Sequence, residues 1–355
     1  MMAAIAETLG PDRVCCLTGV TGESNGSTLY PIYRRPRAFS KSKVIEGVAL
    51  GATLLEIATR HRPQAVQLAT VEEGYLGLFL KHRFGLPYVV YVHGNEIAAL
   101  AARKVPWDKP TKALIGAEKV FAVSSFTADL ARRIGVRDER VEVLHPGCDS
   151  NFFEPRPPDA ELRRRLLRDD RNGPVVLTVG NLVERKGHDV VITAMSRLTR
   201  ERDDLTYLIV GDGPFRNQLQ RLSVELGVAR HVVFAGQVPR AVLPDIYALA
   251  DLFVMPSRHR VDACDVEGFG LVFLEAGACG KPVIGGKSGG VSDAIEDGGT
   301  GFVVDANDVA ALAERITWLI RNPSQARQMG IRGRQRVVER FSWKNVSDRV
   351  LAAFA

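Results

Sequence analysis

Two glutamates, Glu267 and Glu275, are the residues whose type and spacing first suggest chemistry. Seven residues separate them, and Glu267 lies in a glycine-rich loop whereas Glu275 lies inside an apolar run. The apolar run predicts a helix over 271–279, in which the carboxylate of Glu275 would be largely buried. Because an unpaired buried charge costs several kcal/mol, that carboxylate needs partners.

Hydroxyl donors in a pair, such as the two of a ribose ring, would satisfy both carboxylate oxygens of Glu275 at once. Just before the predicted helix, Gly268 and Gly270 let backbone N–H groups approach a ligand closely, at a helix N-terminus that attracts anions. Together these features predict a nucleoside diphosphate ligand. A helix whose glutamate pairs with a buried arginine is the structural alternative, and the two glutamates alone do not decide between them.

A second candidate site follows the first strand expected in the second half of the chain. Arg185 and Lys186 precede Gly187 there, and two cations at a strand-to-helix turn suit a diphosphate, although a charged surface turn is the alternative. His93 ends a hydrophobic strand, so its imidazole is expected at the mouth of a cleft, with a structural role as the alternative. Residues 211–214 resemble a phosphate loop, but a turn into a helix explains them.

Several other chemistries find little support in the sequence. There is no DxD pair next to a strand, no HExxH and no cysteine cluster, so we predict no metal site. Arg or Lys side chains and helix dipoles would then neutralise the charge on a departing diphosphate. The motif GxxxxGK[ST] is also absent, which argues against the P-loop enzymes that carry it.

The composition is that of a globular protein, with 46% hydrophobic and 25% charged residues, and 355 residues favour two domains. No stretch approaches the roughly 18 apolar residues of a spanning helix, and the N-terminal sequence lacks a basic leader with an apolar core. The five cysteines are scattered without CxxC spacing, which argues against disulfide frameworks and zinc sites. We therefore expect a cytoplasmic protein.

The net charge of +6 indicates a mixed surface with a basic bias and does not indicate a nucleic-acid binder. One local cluster contains Arg34, Arg35 and Arg37, followed by Lys41 and Lys43. A solvated surface is the commoner explanation of such a cluster. Attraction to an anionic substrate, or peripheral contact with the inner face of a membrane, is the alternative.

Short apolar strands alternate with helices along both halves of the chain, which predicts an α/β protein with two doubly wound sheets. Residues 154–170 are proline-rich and then highly charged, and they predict an interdomain linker. Ligands of such sheets bind beyond the carboxyl ends of the strands, where a cleft between the halves could gather several loops. The loops concerned follow Val92, Val179, Val210, Met255 and Ile284.

Two helix caps are also predicted from the sequence. Ser124 or Ser125 is placed to cap a helix over 126–134. Asp305 or Asn307 is placed to cap a helix that begins near Asp308.

Taken together, these motifs resemble those of the retaining, nucleotide-sugar-dependent glycosyltransferases of the GT-B fold, family 4. The resemblance rests on the paired glutamates, LVERKG at 182–187, HGNE at 93–96 and GGKSGG at 285–290, and it covers nearly the whole chain. It implies two Rossmann-like domains facing each other across a cleft: an acceptor-side domain, 1–160, completed by a final helix, 344–355, and a donor-binding domain, 171–340.

The resemblance also implies a role for each matching residue. Glu275 would bind the ribose hydroxyls of the donor, and Glu267 would contact the transferred sugar. Lys186 would neutralise the diphosphate, and His93 would reach the sugar from the opposite domain. The other donor-binding residues implied are Asn181, Arg185, Val238 near the base, and the backbone around Gly268, Phe269, Gly270 and Leu271.

The family needs no metal or cofactor, since the nucleoside diphosphate sugar is a co-substrate. The acceptor would be a glycan or a lipid-linked molecule. The stretch 255–276 is most similar to the phosphatidylinositol mannosyltransferase branch, whose donor is GDP-mannose, and a UDP-hexose fits the same motifs.

Two features depart from the family pattern. Relatives usually begin with a strand and a Gly-Gly loop, whereas this sequence begins with the helix that follows them, so either the true start lies upstream or the protein lacks that loop. Many relatives also carry arginine at the position of Asn181. These departures motivate an alternative, a non-catalytic nucleotide-sugar-binding partner subunit. A sugar-nucleotide epimerase of the same fold is a further alternative, for which the sequence offers no identifiable acid and base pair.

Overall fold

The computed structural model describes residues 1–10, 13–18, 31–34, 43–102, 109–167, 173–260 and 264–354. Within the predicted basic cluster, Arg35, Arg37 and Lys41 lie outside the described residues, and only the backbone of Arg34 and Lys43 is described. The architecture alternates parallel strands with helices, which confirms the predicted α/β class.

A four-stranded parallel sheet of order β3-β4-β5-β6 forms the first half, beside a separate parallel pair, β1-β2. Every residue of the run YVVYV is buried, as expected for a strand covered on both faces. The strands are β1 Cys16–Thr18, β2 Ile32–Arg34, β3 Val66–Leu68, β4 Tyr88–Val92, β5 Lys119–Ala122 and β6 Val141–Val143. The helices are α1 Met2–Leu9, α2 Lys43–His61, α3 Gly74–Phe84, α4 Asn95–Ala102, α5 Lys109–Gly116 and α6 Ser125–Ile134.

A six-stranded parallel sheet forms the second half, with the order β12-β11-β10-β7-β8-β9. The strands are β7 Val175–Val179, β8 Thr206–Val210, β9 Val232–Gly236, β10 Leu252–Met255, β11 Val283–Gly286 and β12 Gly301–Val304. The helices are α7 Ala160–Leu167, α8 His188–Glu201, α9 Arg216–Glu225, α10 Leu243–Leu249, α11 Leu271–Ala278, α12 Val291–Ala294, α13 Val309–Arg321, α14 Pro323–Arg340 and α15 Trp343–Ala352. The order reverses between β7 and β10, the kind of switch point at which α/β sheets bind ligands.

The strands that the sequence predicts at 88–92, 175–179, 252–255 and 301–304 and the helix that it predicts at 74–84 are present with those limits, as β4, β7, β10, β12 and α3. Ser124 caps α6 as predicted, since its side chain accepts a hydrogen bond from Thr127 N. The predicted cap of α13 is wrong: Asp308 is the cap, because its carboxylate reaches Ala311 N. The sequence also gave no indication of α4, α5 or α12.

The segment 154–170, predicted to be a linker, contains helix α7. Leu162 and Leu167 of α7 are buried in the core of the second half, because they form the apolar side of a helix whose other residues are largely charged. At the other end of the chain, α15 returns to the first half, where Val346 and Val350 pack with Val89 of β4. The domain limits themselves remain a prediction.

Within the ranges that the structure describes, none of the helices is both long enough and apolar enough to cross a membrane.

Replacing Val350 with alanine is expected to destabilise the protein by about 1 to 3 kcal/mol, because two buried methyl groups of α15 are lost. The matched control is Leu351→Ala, next to it on the same helix but exposed, for which we expect a change within about 0.5 kcal/mol. Urea unfolding of the full chain measures both. Equal losses for the two variants would contradict the packing of α15 on the first half.

Candidate active site

Glu267 is the centre of a buried charge cluster at the carboxyl ends of β7 and β10. Its side chain is 10% exposed, and its Oε2 atom accepts hydrogen bonds from Arg185 Nη1 at 2.5 Å and Lys186 Nζ at 2.7 Å. Ser257 Oγ donates to the same oxygen at 3.2 Å. Arg185 and Lys186 lie on the turn after β7 and Ser257 follows β10, so the pairing of these two strands brings the three donors together.

The charges of this cluster set the protonation of Glu267. Burial alone would raise the pKa of the Glu267 carboxyl, but the positive charges of Lys186 and Arg185 outweigh burial and lower it. Arg185 also forms an ion pair with Asp265, whose Oδ1 lies 2.7 Å from Arg185 Nε. Glu267 is therefore ionised at neutral pH, and its negative charge holds both cations in place.

The described residues donate hydrogen bonds to one oxygen of Glu267, Oε2. No described residue donates a hydrogen bond to Oε1. Oε1 is also not among the described polar atoms that are buried from solvent without a hydrogen-bond partner. Oε1 is thus open to a hydroxyl group of a ligand.

Glu275 lies on the second turn of α11 and has a different kind of partner. Tyr247 is a fully buried residue of α10, and its hydroxyl group donates to Glu275 Oε2 at 2.8 Å. Burial raises the pKa of the Glu275 carboxyl, although the Tyr247 hydrogen bond opposes this effect. Among the described residues no arginine forms an ion pair with Glu275; its hydrogen-bond partner there is the hydroxyl of Tyr247, and Arg240 contributes a charge that lowers its pKa.

The loop between the two glutamates brings backbone groups to the start of α11. Gly270 precedes Leu271, the first residue of α11, and has φ of 91°, a conformation that favours glycine. The side chain of Phe269 is buried, and its ring centroid lies 5.3 Å from that of His145 and 5.9 Å from that of Phe341. Phe269 therefore offers only its backbone to a ligand.

His93 reaches the same loop from the first half of the chain. A Cβ atom at Gly268 would lie 1.7 Å from the carbonyl oxygen of His93, so only glycine permits this approach. His93 Nε2 lies 2.9 Å from Ala69 O. Because a carbonyl only accepts, Nε2 carries a proton in this contact. Glu96 fixes this segment, since its Oε1 accepts from the backbone N–H groups of His93 and Gly94.

The other predicted donor residues lie at the same edge of the second sheet. Asn181 is exposed after β7, and among the described residues its side chain makes no contact with the Glu267 cluster. Val238 follows β9 and packs, half-buried, against the core cluster that contains Tyr247. The segment 211–214 has the predicted structural role: Asp212 O accepts from Leu182 N, and Leu182 O accepts from Phe215 N.

Two side chains connect the halves beside the site. Asn95 donates to Asp265 Oδ1 at 3.0 Å and accepts from Val266 N at 2.9 Å. Asp293 accepts from Ser125 N at 2.6 Å, and His145 Nε2 lies 3.0 Å from the same oxygen. The turn after β4 and the Glu267 loop are therefore held together by polar contacts.

A buried polar network supports the turn that carries Arg185 and Lys186. Thr178 donates to Val254 O, and its hydroxyl lies 2.9 Å from Tyr207 Oη. His188 Nδ1 lies 3.2 Å from Tyr207 Oη, and His188 Nε2 lies 3.3 Å from Asn181 O. Burial lowers the pKa of His188 to about 4, so its ring is neutral at neutral pH.

Sequence reasoning missed Ser257, Tyr247, Asp293 and His188. A signal existed for Tyr247, since a tyrosine in an apolar helix needs a partner for its hydroxyl. Ser257 is a polar residue at the end of a buried strand, where ligand-binding side chains are expected. The partners of Asp293 and His188 lie far away in sequence and left no local pattern.

Two family descriptions match the chain. "Glycosyl transferases group 1" matches residues 159–336, and "Glycosyltransferase Family 4" matches residues 13–152. This chain belongs to the GT-B glycosyltransferases of family 4. The resemblance drawn from the motifs is thereby confirmed.

The relatives are similar in sequence over about two thirds of their length. A GDP-mannose-dependent alpha-(1-6)-phosphatidylinositol monomannoside mannosyltransferase of Mycolicibacterium smegmatis is 38% identical over 269 residues, 74% of this chain and 68% of the relative. A D-inositol 3-phosphate glycosyltransferase of Acidothermus cellulolyticus is 32% identical over 302 residues, 79% of this chain and 64% of the relative. The glycosyltransferase therefore uses a nucleotide sugar and is close in sequence to GDP-mannose-dependent mannosyltransferases.

Solved structures confirm the predicted fold. Sucrose-phosphate synthase from Thermosynechococcus elongatus has a TM-score of 0.78 at 23% identity, covering 99% of this chain and 90% of that chain. Anabaena HepE in complex with UDP has a TM-score of 0.77 at 21% identity, covering 95% and 98%. At such identities the likeness establishes the GT-B fold alone.

In the part of the chain that the structure describes, no three His, Cys, Asp or Glu side chains come together as a metal-binding group. Arg185 and Lys186 supply positive charge at the site.

His188→Gln is expected to remove a pH-dependent part of the stability. Burial lowers the pKa of His188 from 6.5 to about 4, so the folded state resists protonation that the unfolded chain accepts. The contribution of this pKa shift to the free energy of unfolding is fully present above pH 6.5 and is lost as the pH falls toward 4. Between pH 7.5 and 4.5, wild type should lose roughly 2 to 3 kcal/mol more than the variant in urea unfolding.

The matched control is His82→Gln, at an exposed histidine of α3, which should keep the pH dependence of wild type. An equal pH dependence for wild type and His188→Gln would contradict a neutral, buried His188.

Proposed function

We propose that this glycosyltransferase transfers a hexose, with retention of configuration and without a metal ion, from a nucleoside diphosphate sugar to a lipid-linked or glycan acceptor. GDP-mannose is the proposed donor, and the main alternative is a UDP-hexose. The observation that carries the proposal is the arrangement of the two glutamates. Among the described residues, side chains of the protein donate to Oε2 of each glutamate and none donates to Oε1.

In this proposal, Glu275 Oε1 accepts a hydrogen bond from a ribose hydroxyl, and the Tyr247 hydroxyl fixes the orientation of the carboxylate. Val238 lies at the end of β9, where the base would be held. The backbone N–H groups at Gly270 and Leu271 face the diphosphate at the N-terminus of α11, where the helix dipole stabilises negative charge.

Arg185 and Lys186 would stabilise the departing diphosphate. The bond between the anomeric carbon and the diphosphate oxygen breaks, and the acceptor oxygen forms its bond to that carbon on the same face. The proton of the acceptor hydroxyl passes to the departing diphosphate oxygen. Because Glu267 already holds both cations in place, little reorganisation is needed when this charge develops.

Glu267 and His93 would orient the sugar from opposite sides of the cleft. Glu267 Oε1 can accept from a sugar hydroxyl, and His93 Nδ1 can accept from another. Asn181 is proposed to contact the donor in place of the arginine of many relatives, with Arg185 supplying the missing charge. Positioning of this kind can account for a large part of a transfer enzyme's rate.

The proposed acceptor is a phosphatidylinositol glycolipid, which is supported by the names of two similar relatives. We propose a cytoplasmic location, with the basic cluster of Arg34, Arg35 and Arg37 in peripheral contact with the inner face of the membrane.

The activity test is a donor screen with purified full-length chain, in which transfer and slow donor hydrolysis are measured for GDP-mannose, UDP-glucose and UDP-N-acetylglucosamine. Turnover of one donor supports the proposal. The exposed Asn181 motivates one rival, a partner subunit that binds the donor without turnover, and calorimetry with the same donors distinguishes it. Tight binding without transfer or hydrolysis would favour that rival.

Glu275→Ala is expected to abolish use of the donor, since the ribose loses its acceptor. Tyr247→Phe keeps the ring but removes one hydrogen bond, and a loss of about 1 kcal/mol, roughly fivefold in donor KM, is expected.

Lys186→Ala should weaken donor affinity by about 2–3 kcal/mol, because a charge-assisted contact is lost. Steady-state kinetics and calorimetry measure these effects.

Lys344→Ala is the matched control for Lys186→Ala, since Lys344 is exposed on α15 and pairs only with Asp348 among the described residues. It should leave donor affinity unchanged. Wild-type kinetics in both Glu275→Ala and Lys186→Ala would overturn the assignment of the site.

A further inference from the structure

The chain crosses between the two halves twice, and the two crossings lie side by side. Leu144 belongs to a core cluster of the first half, whereas Cys148, four residues later, belongs to a core cluster of the second half. The chain returns between Phe341, in that second cluster, and Val346, in the first. Cys148 N donates to Phe341 O at 2.7 Å, so a hydrogen bond joins the two crossings.

A carboxylate of the second half contacts the first half at the hinge, which we define as residues 145–148 and 341–343. Asp293 Oδ2 lies 3.0 Å from His145 Nε2 and accepts from Ser125 N at 2.6 Å. Ser125 is the first residue of α6, whose N-terminus favours an anion. The side chain of Asp293 is 17% exposed and that of His145 is 31% exposed. Two donors of the first half therefore meet at one oxygen of the second.

The two donors keep Asp293 ionised. Burial would raise the pKa of the Asp293 carboxyl, but hydrogen bonds from His145 and from Ser125 N–H outweigh burial and lower it. Because an ionised carboxylate only accepts, His145 Nε2 carries a proton in this contact. Arg336 fixes the backbone of Asp293, since its guanidinium donates to Asp293 O at 2.8 Å and to Ala294 O at 2.9 Å.

The ring of His145 also contacts the loop that leads into α11. Its centroid lies 5.3 Å from that of Phe269, with the two planes tilted by 34°, and 5.7 Å from that of Phe341. Phe269 directly precedes Gly270, after which α11 begins. One side chain of the first half therefore packs on the loop between the two glutamates and on the returning chain of the hinge.

The segment that carries Asp293 is tied to the same loop. Gly290 N, three residues before Asp293, donates to Glu267 O at 2.9 Å. A Cβ atom at Gly290 would lie 2.2 Å from Gly268 O and 2.5 Å from Ser124 Cβ, so the two halves pack closely here and leave no room for a side chain. A change of angle between the halves at Asp293 would therefore move the backbone of Glu267 and Gly268 relative to the first half.

We propose that His145 and Asp293 form a hinge lock, a pair that fixes the angle between the halves and so places His93 against the Glu267 loop for transfer. Two adjacent chain crossings permit rotation, and interfaces between domains commonly leave such motion open. A hydrogen bond and a packed ring from one residue oppose that rotation at the hinge. His145 is thus a positioning residue, which acts through Asp293 and Phe269. Its role in transfer rests on the proposed function.

The hinge lock predicts different effects on donor binding and on transfer. The proposed donor-binding residues lie in the second half, whose own contacts the hinge lock does not change. Transfer also needs the first half at the correct angle to the donor, because the rate depends steeply on the relative position of the reacting groups. Loss of the hinge lock should therefore lower kcat and leave donor affinity nearly unchanged.

Three variants test the pair. His145→Phe keeps a ring beside Phe269 but removes the donor to Asp293, and we expect kcat to fall about tenfold with donor Kd within about twofold of wild type. His145→Gln keeps a donor to Asp293 and should recover part of the lost kcat. Asp293→Ala combined with His145→Phe should lower kcat no further than Asp293→Ala alone, because both changes remove the same contact.

Small-angle X-ray scattering tests the hinge lock without any substrate. His145→Phe should have a larger radius of gyration than wild type, since its halves are less restrained, while its urea unfolding midpoint stays close to that of wild type. The matched control is Glu142→Gln, which breaks an ion pair between β6 and Arg349 of α15, two elements of the same half. This control should keep the wild-type kcat and radius of gyration.

Several results would contradict the hinge lock. Wild-type kcat and scattering in His145→Phe, or equal changes in Glu142→Gln, would overturn it. Additive losses in the double variant would overturn the pairing of His145 with Asp293. A fall in donor affinity as large as the fall in kcat would overturn the positioning role in favour of a general structural one.

The scattering measurement separates this inference from the proposed function. If wild type uses no donor but His145→Phe still has the larger radius of gyration, the proposed function fails while the control of the angle by the hinge lock stands. If wild type transfers a hexose and His145→Phe matches it in both measurements, the proposed function stands and the hinge lock fails.

Discussion

The structure of the site depends on one buried negative charge, the carboxylate of Glu267. Since a charge in that position is stable only when it is paired, the turn after β7 and the end of β10 must deliver Arg185, Lys186 and Ser257 to a single oxygen. The strand order of the second sheet meets that requirement, because β7 and β10 are neighbours at the switch point. The hydrogen-bonded network of Thr178, Tyr207 and His188 supports the buried side of the turn after β7.

The two glutamates of the candidate site have opposite electrostatic environments. Cations lower the pKa of Glu267, whereas burial raises that of Glu275 despite the hydrogen bond from Tyr247. One carboxylate is thus part of a charged cluster suited to a diphosphate, and the other is a weakly compensated acceptor suited to neutral hydroxyl groups. The difference follows from their neighbours, because the side chains are identical.

The first half of the chain contributes to the site by contact rather than by charge. The carbonyl of His93 meets Gly268 so closely that no side chain fits, and Asn95 and Asp293 tie the two halves together beside it. The last helix, α15, packs on the first half through Val346 and Val350.

The sequence by itself determined the α/β class, the strand β4 and the helix α3, because local periodicity specifies such features. Tertiary structure alone decided that Glu267 holds Arg185 and Lys186, that Tyr247 fixes Glu275, and that His188 supports the intervening turn. It also decided the cap at Asp308 and the packing of α7. Each of these depends on which strands and helices become neighbours, and residues far apart in the chain carry no local pattern that reveals their contact.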